Sequence, residues 1–433
     1  NNKIKRKFPN LKIVYNKNWK KTGPVYSLNN VKINDDENII VLYSDVLIRF
    51  ETFKRLVENN DEVLCLIDSK YKNRYKYRDN KDLESKEKIY FNNSKNFYFS
   101  QKSSSKKSAE LLGAIKISHK KVNRFKKLIN KINIEKNSYK MFYLLEKLKI
   151  KQTIKFMDVK GEWAEINKEE DISKFILGTK SETLKRLKNI FKKGKILDQV
   201  KFTVLEWNRN KLSIISQINK KFKKKFLIVR SSAIDEDGIN TSNAGKYLSV
   251  LNVKGNQKLK KSVKKVIDSF QQKKFKNEIF VQEQIKNSQY VGVVTTKSKR
   301  TGSPWYVINY QKTRDTELIT KGDSNKTKTI FLRRDLSTKD LKDDFLKKLH
   351  VVIREIENVL SNNNLDIEFA TNKKNEIFIF QVRPLYVKPE NKKAEKIIIK
   401  NYKTSELKYK KFKNISNLSN PKNPVFGVMP DWN

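Results

Sequence analysis

The segment from Val229 to Gly245 constrains this chain more than any other stretch. An apolar run, Phe226-Leu227-Ile228-Val229, ends in Arg230 and opens at once into Ser231-Ser232-Ala233, then Glu236-Asp237-Gly238 and Ser242-Asn243-Ala244-Gly245. The run reads as a strand. The hydroxyls, Asn243 and the glycines suit a loop whose backbone and short donors close on an anion. A Ser/Asn-rich surface loop has a similar composition. It gives no reason, however, for an apolar strand that ends in arginine, or for the strand pattern Tyr247–Val253 that resumes after Gly245.

Downstream, Asp366-Ile367-Glu368 and Gln381-Val382-Arg383-Pro384 answer this segment. Side chains alternate faces along a strand. Asp366, Glu368 and Ala370 therefore share one face of the first strand, and Ile379, Gln381 and Arg383 share one face of the second. A hairpin loop at 372–375 sets Asp366 opposite Gln381, so that two carboxylates, an amide and a guanidinium converge. Carboxylate and amide oxygens suit Mg²⁺ that arrives on nucleotide phosphates. An arginine can hold a phosphate oxygen and stabilise charge during phosphoryl transfer. Taken alone, an ordinary amphipathic hairpin with a solvated face is the better reading, and the arginine loop is what tips the balance.

Charge adds less than its size suggests. The formal net charge of +49 invites a nucleic-acid reading. Lysine, though, is spread over every segment beside abundant Asn, Ile, Tyr and Phe, with only 12 Gly and 8 Pro, as codons rich in A and T would dictate. A dedicated surface would cluster its charge with interleaved aromatics on one element, so no specific nucleic-acid partner is expected. The single cysteine, Cys65, allows no intrachain disulfide and points to a reducing, cytoplasmic compartment. No apolar run reaches the roughly 20 residues that a membrane span needs. The start, Asn-Asn-Lys-Ile-Lys-Arg-Lys, shows no signal peptide, and the chain reads as a fragment at both ends.

Along the first 190 residues strands alternate with helices. Leu11–Tyr15, Ile39–Tyr43, Val63–Ile67 and Ala109–Ile117 read as strands, and Leu47–Asn59, Val122–Ile132, Ser138–Leu148 and Lys180–Lys192 as helices. Strand–helix–strand at this spacing predicts a parallel α/β layer. Residues 69–108 read as an insertion or long loops, and 191–225 as a connecting region with an amphipathic helix near Leu212–Phe222. From Phe226 to residue 387 the pattern becomes α+β, with a long helix over Leu341–Ser361. Residues 388–433 form a basic, weakly patterned tail.

The ordered motifs VRSSA, EDG, SNAG, YLSVLNV, IFVQEQI, VGVVTTK, DIEFA and QVRP resemble the ATP-binding domain of phosphoenolpyruvate synthase and pyruvate phosphate dikinase, a variant of the ATP-grasp fold, over about residues 226–387. The resemblance implies that Arg230 contacts ATP phosphates, with Ser231, Ser232 and Gly245 in the phosphate loop. It places Gln282 and Glu283 at the strand edge that holds adenine. Glu368 and Gln381, with Asp366 beside them, would bind the metal–phosphate unit, and Arg383 would engage the transferred phosphate. Thr295 stands where the family usually carries an aromatic, and no Gly-Gly-Lys segment precedes the domain. The family's phosphohistidine signature is not in the sequence. Its two histidines are His119 and His350, and His350, on the long helix, reads as a packing or surface residue.

In the first half, Leu42-Tyr43-Ser44-Asp45-Val46-Leu47 places Asp45 at a strand end, where open α/β sheets meet their ligands. Gly161-Glu162-Trp163-Ala164-Glu165 offers a second carboxylate. Two such groups can share one Mg²⁺, while Asp45 could equally be the N-cap of a helix beginning near Val46. The YSDVL strand end, Leu66-Ile67-Asp68, Leu112-Gly113-Ala114-Ile115 and EWAEINKEEDI resemble sugar-phosphate and phosphocholine-type nucleotidyltransferases over about residues 9–175, without the family's opening glycine-rich loop. By that resemblance Asp45 and Glu165 are metal ligands.

The fold class expected is thus α/β plus α+β: a truncated, Rossmann-like nucleotidyltransferase domain followed by an ATP-grasp domain. The expected function is an ATP- and Mg²⁺-dependent phosphotransferase acting on an unidentified small-molecule acceptor. A bifunctional nucleotidyltransferase–kinase for surface-polymer decoration and a non-catalytic nucleotide-binding module are the alternatives.

Overall fold

The computed structural model describes residues 2–72, 86–91, 97–100, 107–135, 139–149, 153–223, 225–233, 248–270, 275–299, 301–312, 327–385 and 392–419. The chain divides into two compact units, Asn1–Asp171 and Ile172–Asn433.

The first unit is built on a six-stranded sheet of β1 (Ile39–Leu42), β3 (Val63–Asp68), β4 (Lys88–Phe91), β5 (Phe97–Ser100), β6 (Ser108–Ile117) and β7 (Lys155–Asp158). The expected parallel layer is not what forms. β3 and β7 make a parallel pair, but β1 and β3 both pair antiparallel with β6, which lies hydrogen-bonded between them. β1 and β3 still run the same way, as the intervening helix requires. The long apolar strand β6 takes both of their edges. Its Gly113 has φ +67°, and a Cβ there would overlap the Tyr43 ring. β3 is buried along its whole length. Val63, Cys65, Ile115 and Ile117 pack against Val122, Phe125 and Ile129 of the helix His119–Glu135 and Leu144 and Leu148 of the helix Met141–Lys149.

Two local expectations for this unit are corrected. Leu11–Tyr15 is not a strand, and Leu11, Val14 and Tyr15 are exposed. The helix expected over Leu47–Asn59 spans Phe50–Glu58. The residues before it form β2 (Val46–Ile48), which pairs with β8 (Trp163–Glu165) because Val46 and Ile48 find apolar cover beside Trp163.

The second unit holds two antiparallel sheets. The smaller runs in the order β11 (Ser249–Val253), β10 (Leu227–Ser232), β12 (Glu278–Glu283), β9 (Gln199–Thr203). One of its faces, with Val229, Ile279 and Val281, packs on Ile214, Ile215 and Ile218 of the helix Val204–Phe222 and on Val263 and Val266 of the helix Asn256–Asp268. The segment 191–225 thus contributes a strand and a helix to this layer. The larger sheet runs β15 (Lys328–Arg333), β14 (Trp305–Lys312), β13 (Tyr290–Thr295), β16 (Leu365–Thr371), β17 (Ile377–Pro384). It is backed by the helix Asp344–Leu360, whose Leu349, Val352, Ile353 and Ile356 meet Ile367, Phe369 and Ile379. Each such fully buried aliphatic or aromatic side chain contributes about 1.5–3 kcal/mol.

Capping sets the helix starts. Thr179 with Glu182, and Thr203 with Glu206, form reciprocal boxes, and Asp343 caps the long helix at Leu346 N–H. The tail, expected to be weakly patterned, contains the helix Lys392–Ser419. Tertiary contacts that no local periodicity announces hold it, with Glu406 on Arg333, Lys403 on Asp335 and Tyr402 edge-on to Trp305.

Candidate active site

The hairpin β16–β17 carries the carboxylates, and its register differs from the one parity suggests. Asp366 stands opposite Arg383, and Glu368 stands opposite Gln381. The next pair is Phe369 with Ile379, so Phe380 is an extra residue, a β-bulge. The bulge separates Ile379 from Gln381. Ile377, Ile379 and Val382 enter the core under the long helix, whereas Phe378 and Phe380 turn to the opposite face with Ala370 and Val291. Ile379 therefore does not share the polar face. Asp366, Glu368, Gln381 and Arg383 do lie side by side, as expected.

Arg230 reaches this face from the other sheet. On β10 and β12 it stands opposite Phe280, and Ile228 stands opposite Gln282. These residues turn away from the helices that cover Val229 and Val281. The Arg230 guanidinium donates from Nη1 to the Phe380 carbonyl oxygen at 3.0 Å and from Nη2 to Glu368 Oε2 at 3.1 Å. It sits over the Phe280 and Phe380 rings at 5.6 and 5.7 Å. The bulge places that carbonyl, so the same irregularity that defeats simple parity makes the acceptor for the arginine. Arg230 and Glu368 side chains are 6% and 16% exposed, a burial at which a charge persists only when paired. Among the described residues the buried Arg230 Nε has no hydrogen-bond partner.

One step along the hairpin, Asp366 Oδ2 accepts from Arg383 Nη2 at 3.0 Å and from Lys299 Nζ at 3.0 Å. Lys299 follows β13 and carried no sequence signal. It is one lysine among many, and its contact depends on Thr295 pairing with Asp366 across the ladder.

The other expected residues divide. Gln282 is fully buried on the face shared with Arg230, and both of its amide atoms are without a hydrogen-bond partner among the described residues. Glu283 lines a cavity of about 450 Å³ with Leu197, Phe226, Ile285 and Phe378, and its carboxylate accepts from Lys225 Nζ at 2.6 Å. That volume falls within the about 300–1,000 Å³ of small-molecule sites. Ser231 and Ser232 are buried. Ser232 Oγ accepts the Ser181 N–H at 3.0 Å, which fastens the end of β10 to the start of the helix Lys180–Lys188. Behind it, Glu278 accepts from Thr179 Oγ1 and Ser181 Oγ, each at 2.7 Å, and from Lys201. Burial pushes the Glu278 carboxyl up, but the hydrogen bonds from Lys201, Ser181 and Thr179 outweigh it and hold the group below its usual range. Gly238, Ser242, Asn243 and Gly245 lie outside the described residues. His350 is buried on the long helix, with Nδ1 2.9 Å from Thr338 Oγ1.

In the first unit Asp45 lies in the turn between β1 and β2. It does not cap a helix, since the helix begins at Phe50. Val46, the first residue of β2, pairs with Glu165, and the Ile166 N–H donates to the Asp45 carbonyl at 2.7 Å, so the backbones that carry the two carboxylates meet at this end of the ladder. Lys86 Nζ donates to Glu165 Oε1 and Oε2 at 2.7 and 2.6 Å, and any metal at Glu165 would compete with that ammonium. Among the described residues no three His, Cys, Asp or Glu side chains group as a metal site. Mg²⁺ carried by a nucleotide requires only one or two protein oxygens, a condition that Glu368 beside Gln381 meets. Among the described residues no helix is long and apolar enough to cross a membrane.

The chain matches the family model of the pyruvate phosphate dikinase AMP/ATP-binding domain over residues 48–276 and 277–406, and it belongs to that family. Solved structures similar to it include the D-alanine–D-alanine ligase from Coxiella burnetii (12% identity, 49% of this chain and 49% of that chain, TM-score 0.31). The D-alanine–D-alanine ligase from Helicobacter pylori is similar at 16% identity, 56% of this chain and 60% of that chain, with a TM-score of 0.31. The inositol-1-phosphate CTP transferase from T. maritima is similar at 15% identity, 39% of this chain and 66% of that chain, with a TM-score of 0.30. The chain spans about half the length of the first of these. No curated protein matches it.

Proposed function

We propose that the second unit is an ATP-dependent phosphotransferase. ATP would lie between its two sheets, with the base near Glu283 and the phosphates at Arg230, Glu368, Gln381 and Arg383. The observation that carries this reading is the meeting of Arg230 from one sheet with Glu368 and the Phe380 carbonyl on the other. It gathers cationic, carboxylate and amide groups into one buried patch inside a chain of an AMP/ATP-binding family. Apolar flanks, Phe280 and Phe380, lower the local polarity and strengthen charge interactions there.

The residues divide the work. Glu368 and Gln381 supply the oxygens that would hold Mg²⁺, which when bound neutralises phosphate charge. Arg230, stacked between two rings, has little freedom left and presents its unpartnered Nε to an anion. Arg383 is set beside the metal-binding pair by the Asp366 carboxylate and offers a rigid fork to the transferred phosphoryl group. Transfer breaks the bond from the γ-phosphorus to the bridging oxygen of ATP and forms one to the acceptor oxygen, leaving ADP and, where the acceptor is a hydroxyl, releasing its proton to solvent. Catalysis then consists of positioning and charge stabilisation.

The test is calorimetric ATP binding and ATP consumption across a panel of hydroxyl and carboxylate acceptors, in the unmodified chain and in Arg383→Ala. The variant is expected to lose turnover by about 100-fold or more, as when one transition-state donor is removed. Equal turnover in the two proteins overturns the role of Arg383. Binding without turnover on any acceptor favours the nucleotide-binding module instead.

A further inference from the structure

Resting on the ATP site proposed above, we infer that Lys299, in the turn between β13 and β14, is a phosphate-binding residue that leaves Asp366 for the terminal phosphates of the nucleotide. The local charge balance points there. Asp366 is 4% exposed and takes two cations on one oxygen, Arg383 Nη2 and Lys299 Nζ, each at 3.0 Å. Arg230 and Glu368 neutralise each other one step along the sheet. Among these five side chains three cations face two carboxylates, and the excess of one positive charge suits an incoming anion.

Of the two cations on Asp366, only the lysine can leave without harm. The Arg383 side chain is 12% exposed, whereas that of Lys299 is 54% exposed. An exposed ammonium held by one carboxylate gains little net stability, because the side-chain entropy lost nearly offsets the attraction. When Lys299 swings away, Asp366 keeps Arg383, so no buried charge is left unpaired. The backbone beneath the lysine is fixed meanwhile. Ser298 N–H donates to the Ser303 carbonyl at 3.1 Å and Gly302 N–H to the Ser298 carbonyl at 2.8 Å, so the turn stays closed while the side chain moves. Thr295 pairs with Asp366 across the ladder, which brings this turn to the Asp366–Arg383 end of the site. The lysine stem then lets Nζ act as a movable point charge on a phosphate oxygen, complementing the fixed fork of Arg383.

The experiment is titration calorimetry of ATP, ADP and adenosine, each with Mg²⁺, into the unmodified chain and into Lys299→Ala, Lys299→Arg and Lys373→Ala. Lys373, exposed in the 372–375 loop, removes the same charge elsewhere on the surface. Lys299→Ala is expected to weaken ATP roughly ten- to a hundredfold, the range of a hydrogen bond to a charged group. Adenosine affinity should be unchanged, Lys299→Arg should recover part of the loss, and Lys373→Ala should bind as the unmodified chain does. The apo melting temperature of Lys299→Ala should stay with that of the unmodified protein. ATP affinity unaltered in Lys299→Ala, or lowered equally in Lys373→Ala, overturns the inference while leaving the ATP site intact. An unmodified chain that binds neither ATP nor ADP removes the site itself, and this role with it.

Discussion

Replacing Arg230 by Met, Glu368 by Gln, and both together measures how far the two sheets of the second unit are held by one ion pair. The guanidinium and carboxylate meet at 3.1 Å with side chains 6% and 16% exposed. Removing one partner of so buried a pair leaves the other without compensation and costs about 3–5 kcal/mol. Arg230→Met also strands the Phe380 carbonyl and removes the cation over two rings, so the upper part of that range is expected. Glu368→Gln keeps an acceptor oxygen and loses only the charge, which brings its cost nearer to about 1.5–3 kcal/mol, the value of a charged hydrogen bond. In the double variant neither charge remains, and Met fills the space between Phe280 and Phe380. Its cost should fall below the sum of the singles by about 1–3 kcal/mol, as for residues in direct contact. Native-state hydrogen exchange of peptides covering β10, β16 and β17 reads these local opening energies without requiring the whole chain to unfold in one step. Additivity within about 0.5 kcal/mol would refute the reasoning, because it would mean that the pair contributes nothing as a pair.

Two further expectations concern other parts of the molecule. Burial pushes the Glu87 carboxyl up to about 7, against the pull of Lys140 and the Phe142 amide. Between the unfolded value of 4.5 and about 7 the folded state binds more protons than the unfolded one, so stability falls as pH rises through that window. Glu87→Gln should remove the slope and stabilise the first unit at pH 8 by on the order of 1–2 kcal/mol. Urea titrations from pH 4 to pH 8 showing the same slope in both proteins would contradict this. At Gly292 a Cβ would overlap the Asn309 carbonyl oxygen and lie 2.8 Å from Tyr310 Cβ. Gly292→Ala should therefore destabilise the β13–β14 ladder by about 1–3 kcal/mol, and an unchanged melting temperature would show that the strands can spread at no cost.

Much of the second unit was legible because its signals are local. The alternation in Leu365–Thr371 and Ile377–Pro384 and the apolar spacing of the long helix Asp344–Leu360 each depend on residues close together in the chain. The bulge at Phe380 was not legible, since an extra residue alters no composition and is chosen by which side chains the core accepts. β15 went unread between segments without a clear pattern, and the helix Lys392–Ser419 went unread because its docking depends on Arg333 and Trp305, more than sixty positions away. In the first unit, the sheet order was hidden because an apolar strand such as β6 does not reveal which edges it will offer.

By itself, then, the sequence determined which residue types could gather on one polar face: Arg230, Asp366, Glu368, Gln381 and Arg383 sit in strands whose periodicity exposes such a face. The tertiary structure decided how they are partnered. It set Glu368 against Arg230, gave Asp366 two cations instead of one, buried Ser232 as a fastening to Ser181, and occupied Glu165 with Lys86. The physical reason is range. Strand parity is fixed by neighbouring dihedrals, whereas the pairing of buried charges is fixed by where two sheets meet, and that depends on the packing of every side chain behind them.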